Sequence, residues 1–139
     1  MKILGLKSLK ATLKKLVKKY GPAKPSVVVG YTANYAVYVH ENKSAKHKAG
    51  KSAKFLEGPA RAKSKQISDK IEGGLKIGVA LDDALLLGGQ QLQRESEIVV
   101  PIEFGALRGS AFTAKEKDAD EAAAVAYSNF KSIKARSKR

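Results

Sequence analysis

His40 and Glu41 stand side by side, an imidazole next to a carboxylate. Such a pair serves as a general base with its orienting acid, or as two members of a metal site. A zinc-peptidase helix carries its second histidine four residues after the first, and that position is Ser44. The other histidine, His47, lies in a stretch of Lys, Ser, Ala and Gly, and two histidines without further ligands do not close a tetrahedral site. A structural or interface role is expected for His40. Gly50-Lys51-Ser52 matches the last triplet of a phosphate-binding loop, but the first glycine of such a loop would fall where Ala45 stands. Ser110 has Arg108 close by without the signature of a nucleophile elbow around it. Cysteine is absent, which removes thiolate nucleophiles, thiolate metal sites and disulfides together. The expectation is a chain with no catalytic residue, no cofactor and no metal.

Charge is the louder signal. The formal net charge is +14, and all of the excess lies in residues 1–65, where 15 Lys and one Arg face only Glu41 and Glu57. Residues 66–139 carry 11 basic and 11 acidic side chains and are neutral. A field of this kind attracts nucleic acid, anionic lipid or an acidic protein surface without choosing among them. With 139 residues and 43% apolar content, one domain around one core is expected. Lysines interrupt Met1-Lys2-Ile3-Leu4-Gly5-Leu6-Lys7 too often for a secretory signal. No stretch approaches the roughly 20 apolar residues of a membrane span, so a soluble protein made in the cytoplasm is expected.

The elements that must position these residues follow from pattern. Leu6, Leu9, Leu13, Leu16, Val17 and Tyr20 recur at steps of three and four between lysines, predicting an amphipathic helix that stops at Gly21-Pro22. Ser26-Val27-Val28-Val29-Gly30-Tyr31-Thr32 reads as a strand, and residues 34–41 fit a short helix or a continued strand equally well. Residues 42–54 hold no large apolar side chain and read as a mobile basic loop. A helix is expected from Ala60 to Ile71, fading at Gly73-Gly74, and a longer one from Leu81 to about Ile98 with Pro101 beyond its end. Gly88-Gly89 inside that helix costs about 1 kcal/mol per glycine relative to alanine, so close packing is its expected reason. Residues 102–110 read as a turn, 110–115 as a strand, 116–120 as a reversal, and 122–130 as a further strand because Val125-Ala126-Tyr127-Ser128-Asn129 echoes the first. The fold class is α+β: a small antiparallel sheet packed against a long helix, in a single domain over 1–130 with a frayed basic tail over 131–139.

Three segments carry a resemblance. Residues 29–41, with Tyr35-Ala36-Val37-Tyr38-Val39-His40-Glu41, then Phe55-Leu56 ahead of a helix, then Val100-Pro101-Ile102-Glu103-Phe104-Gly105-Ala106-Leu107-Arg108-Gly109-Ser110, resemble the tail-completion, head-tail joining or neck proteins of tailed bacteriophages. The chain differs from that pattern in having Phe104 where the family often has Thr, and in placing Phe-Leu before the Pro-to-Ser turn. The resemblance implies a homo-oligomeric ring, hexameric or dodecameric, in the virion neck around the DNA channel, touching connector and tail proteins, with basic arms that would suit an acidic partner ring or the DNA itself. It also implies interface roles for Tyr35, Tyr38, His40, Glu41, Gly105, Leu107, Arg108 and Ser110, with Arg108 the candidate for a charge-assisted contact. Ordinary packing and turn formation are the alternative for all eight. The alternative function is a basic nucleic-acid-binding protein, for which Tyr31, Tyr35 and Tyr38 would offer stacking surfaces.

Overall fold

The computed structural model describes residues 14, 26–43, 51, 53–101 and 105–137. The expected helix over residues 6–20 lies outside them apart from Lys14, as do residues 44–50 and 52 of the expected loop. The described chain runs β1 (Val27–Tyr31), α1 (Ala36–Glu41), α2 (Glu57–Ala62), α3 (Ser64–Lys76), α4 (Leu81–Val99), α5 (Ala106–Gly109), β2 (Ala111–Lys115), a 3₁₀ turn (Glu116–Asp118) and α6 (Ala119–Ser137). The fold is α+β, with one two-stranded antiparallel sheet among the described residues.

The β-branched run at Val27–Val29 and the Ala111–Lys115 run pair antiparallel, with Val27 opposite Lys115 and Tyr31 opposite Ala111. Side chains alternate between faces. Val27, Val29, Tyr31, Thr113 and Lys115 therefore meet α4: Tyr31 Oη lies 2.6 Å from Ser96 Oγ, and Lys115 Nζ reaches Asp82 and Asp83 at 3.1 and 2.5 Å. Phe112 and Ala114 turn toward α6. α3 covers the far side of α4, which is thus enclosed between a helix and the sheet.

That enclosure explains Gly88-Gly89. A Cβ on Gly88 would stand 2.6 Å from Ile71 Cγ1 of α3, and one on Gly89 would stand 2.8 Å from Thr113 Cγ2 and 2.9 Å from Val27 Cγ1 of the sheet. The pair allows α4 to approach both layers, as the packing expectation held.

Buried side chains gather in two clusters rather than one. Ala60, Ile67, Ile71, Ala84 and Leu92 form the first, between α2, α3 and α4. Ala33, Ala36, Phe55, Val100, Ala106, Leu107 and Phe130 form the second, at the opposite end of α4. Leu56 packs against both and joins them.

Of the two readings of residues 34–41, the helix is the one found, over Ala36–Glu41. Three expectations need correction. The helix expected over 60–71 is two, α2 and α3, and α3 runs through Gly73-Gly74 to Lys76. The strand expected at 122–130 is helical, and so is the described part of the tail, because Ala122, Ala126, Phe130 and Ile133 recur at helical steps and Ala126 and Phe130 are buried. The β-like residues Val125 and Tyr127 fall on the outer face of α6, 59% and 42% exposed. Lastly, the described end of the basic loop is anchored: Lys51 Nζ donates to Ile98 O at 2.7 Å and Lys54 N to His40 O at 2.7 Å.

Candidate functional site

Helix α1 carries Tyr38, His40 and Glu41, three of the first four candidates. Tyr35, just before it, packs edge-on against Phe130 with ring centroids 5.7 Å apart. His40 is held on three sides: Nδ1 lies 2.8 Å from Glu41 Oε1, Nε2 accepts the Glu57 backbone N–H at 3.3 Å, and the ring meets Phe55 edge-on at 5.0 Å. A neutral imidazole protonated on Nδ1 satisfies both polar contacts. The Nε2 lone pair is thereby spent on the first N–H of α2, a capping role, and faces no open site. Glu41 also takes the Lys54 ammonium, which lies 3.5 Å from Glu57; Glu57 in turn holds Arg61 at 2.8 Å. The hydrogen bonds from Lys54 and then His40 hold the Glu41 carboxyl below its ordinary value, and Arg61 does the same for Glu57. This network ties α1 to the start of α2, with Lys54 itself in the left-handed region at φ 53°.

Tyr38 differs from its neighbours. It is 71% exposed, beside Val37 at 77%, and its hydroxyl accepts from Asn42 Nδ2 at 3.3 Å. Val37 escaped the sequence reading because an isolated valine in an apolar run carries no mark of exposure.

The second four build one turn after α4. Gly105 opens α5 at φ +75°, a conformation that favours glycine. Leu107 is buried in the second cluster, and Ser110 is fully buried with its Oγ donating to Leu107 O at 2.7 Å. Thr32 ties the turn to β1 by donating its N–H to Ser110 O at 3.0 Å. Arg108 alone points outward, exposed and without an ion pair among the described residues. Both groups of candidates therefore meet around the second cluster, where Leu107, Phe130 and Phe55 are buried and Tyr35 packs on them. Tyr35, His40, Gly105, Leu107 and Ser110 serve the fold there; Tyr38 and Arg108 remain available to a partner.

A further feature was invisible in the sequence. An open groove of 480 Å³ runs beside β2, between that strand and α6, lined by Phe112, Ala122, Val125 and Ala126 with Asp118 and Glu121 at one end. It depends on how β2 and α6 pack, and no local motif marks it.

Among the described residues no group of three or more His, Asp or Glu is placed to hold a metal ion, and no helix is long and apolar enough to cross a membrane. Comparison of the chain with protein-family models, with curated proteins and with solved structures finds no match in any of the three.

Proposed function

We propose that the chain is a non-enzymatic structural protein of a tailed-phage virion, assembling as a ring in the neck between connector and tail. The observation that carries this reading is the turn at 105–110. Its glycine, leucine and serine are consumed in building the turn, while Arg108 is left presented to solvent. A guanidinium held on a rigid turn suits bidentate capture of a carboxylate on a neighbouring molecule. Exposed Val37 and Tyr38 add an apolar and aromatic contact of the sort that anchors interfaces.

Electron microscopy of the purified protein, alone and mixed with an isolated portal-connector assembly, tests the proposal. Discrete rings, or density added to the connector and lost on Arg108→Glu, is the expected result. A neighbourhood of genes without portal, capsid or tail-tube genes would overturn it. The second reading, nucleic-acid binding, is favoured by the surplus charge of residues 1–65. It predicts DNA affinity that falls steeply as salt rises, with no ring or connector docking.

A further inference from the structure

β2 has a second edge, and the register of the sheet decides which of its groups that edge presents. Thr32 N–H donates to Ser110 O at 3.0 Å and Glu116 N–H to Ser26 O at 2.8 Å. These bonds place the hydrogen-bonded pairs of the antiparallel ladder at Gly30 with Phe112 and Val28 with Ala114. The N–H and C=O groups of Ala111 and Thr113 and the N–H of Lys115 therefore point away from β1, and no backbone group among the described residues bonds them. Ala111 and Thr113 border the groove beside β2, whose two flanks differ in chemistry. α6 follows β2 after the 3₁₀ turn and runs back along it, bringing Ile133 close to Gly109 at the start of the strand. Its Ala122, Val125 and Ala126 join Phe112 as an apolar flank. The α4 flank is polar: Thr113 Oγ1 donates to Gln93 Oε1 at 2.5 Å, and Gln93 Nε2 donates on to Glu97 Oε1 at 2.9 Å. Asp118 and Glu121 border the end where β2 passes into α6, and neither has an ion-pair partner among the described residues.

We infer that this edge takes an extended segment of a partner protein, added to the sheet as a third strand, with apolar and polar side chains in alternation and a lysine or arginine at the end beside Asp118 and Glu121. Each requirement comes from a different part of the groove. Main-chain pairing follows from the outward groups of Ala111, Thr113 and Lys115, which an added strand satisfies at every second residue. Alternation follows from the flanks, because successive side chains of a strand point to opposite faces. One set lies on Phe112, Val125 and Ala126, and the other reaches Gln93 and Thr113. The cation follows from the two unpaired carboxylates, with Glu116 and Asp120 beside them in sequence. A helix does not meet these requirements, since its own backbone groups are already bonded internally. Nor does a nucleic-acid strand, whose phosphates would face carboxylates. The β2 strand of a second copy does not supply the cation, because its one basic residue, Lys115, is held by Asp82 and Asp83 of its own chain. The basic residue comes first in an antiparallel occupant and last in a parallel one, because β2 runs toward the acidic end. This contact needs no second copy of the chain, so it stands apart from ring formation.

The capped peptide Lys-Val-Thr-Leu-Asn-Val and its reversed sequence are the probes, titrated into the full chain while its amide signals are followed by nuclear magnetic resonance. One of the two is expected to bind and to slow hydrogen exchange at the Ala111, Thr113 and Lys115 amides, while those of Phe112 and Ala114, already paired with β1, change little. Val125→Lys, at an exposed helical position, should weaken binding by at least about tenfold. Glu121→Lys should shift the preference from the lysine probe toward its glutamate counterpart by about fivefold; circular dichroism confirms that both variants are folded. N-methylation of alternate backbone amides in the probe separates strand addition from adhesion to the apolar flank, because one alternating set should abolish binding and the other spare it. A probe that binds equally well with either set methylated overturns the inference, as does the absence of binding by both probes at millimolar concentration. A Thr113 amide already protected in the free monomer also overturns it, since the chain itself then covers the edge. Protection that grows with protein concentration, with dimers in sedimentation velocity, gives the edge to a second copy and overturns it too.

Discussion

Replacing Gly89 with alanine puts a methyl group 2.8 Å from Thr113 Cγ2, 2.9 Å from Val27 Cγ1 and 3.2 Å from Val29 Cγ2, all well inside the contact distance of about 3.5–4.0 Å between carbons. All three neighbours are β-branched, with stiff χ1 angles, and all sit in strands whose register is fixed by pairing. Alanine gains about 1 kcal/mol of helix propensity over glycine, and overpacking of this kind costs about 1–3 kcal/mol. The net expectation is a loss of about 0–2 kcal/mol. Gly73→Ala is the internal reference: the same substitution in α3, at an exposed site with nothing within 4 Å of the new Cβ, is expected to stabilise by about 1 kcal/mol. Subtracting the two cancels propensity and leaves the steric cost. Thr113→Ser deletes the nearest methyl while keeping the hydroxyl that donates to Gly89 O at 3.4 Å, so in the Gly89→Ala background it should recover part of that cost. Urea denaturation followed by far-ultraviolet circular dichroism measures all four proteins. Equal stabilisation by Gly73→Ala and Gly89→Ala would refute the close approach of α4 to the sheet.

Burial raises the Tyr31 phenol to about 12 against the weaker opposing effect of its Ser96 hydrogen bond. A raised value makes the stabilisation complete below the unfolded value of 10.0 and lost as pH climbs from there to about 12, on the order of 3 kcal/mol in all. Tyr31→Phe should remove the latest-ionising part of the tyrosinate absorbance, and an unchanged high-pH limb would contradict the burial. Glu41, held low by Lys54 and then His40, contributes stability that is present above the ordinary carboxylate value of 4.5 and lost as pH falls through its lower folded value. The melting temperature of Glu41→Gln should therefore fall less steeply below that pH than that of the parent; parallel acid limbs would remove the pair from the account. Ser110→Ala leaves the buried turn without its hydrogen bond to Leu107 O and should cost about 1 kcal/mol in urea denaturation, while Arg108→Ala should stay within about 0.5 kcal/mol of the parent. The reverse order would mean that Arg108, not Ser110, holds the turn.

Where local pattern and packing agreed, the fold could be read from the residues. The acidic start at Asp82-Asp83 and the stop before Pro101 bracket α4 within a residue or two, and the valines of β1 pair as a strand should. The sequence misled at residues 122–137 because Val125 and Tyr127 speak for a strand, yet they carry no burial; Ala126, Phe130 and Ile133, four and three apart, carry it and cross the boundary drawn for the tail. For the candidate site, Gly105 and Ser110 were legible as turn residues from their types and spacing. A structural or interface role was expected for His40, but its part as the acceptor for Glu57 N–H was not legible, because that partner lies 17 residues on. The groove was beyond reach, since it exists only once β2 has paired with β1 and packed beside α6.

The sheet also sets a timetable for synthesis. β1 leaves the ribosome about 80 residues before the β2 residues that pair with it, whereas the helices α2, α3 and α4 that form the first cluster are neighbours in sequence. At roughly 5–20 residues per second, β1 stays without its partner for about 4–16 s. The local helical unit has its contacts during that interval, and the Val27–Tyr31 edge does not. On a polysome, where nascent copies of the same chain are crowded together, that interval is when an exposed valine-rich strand is open to pairing with the wrong copy.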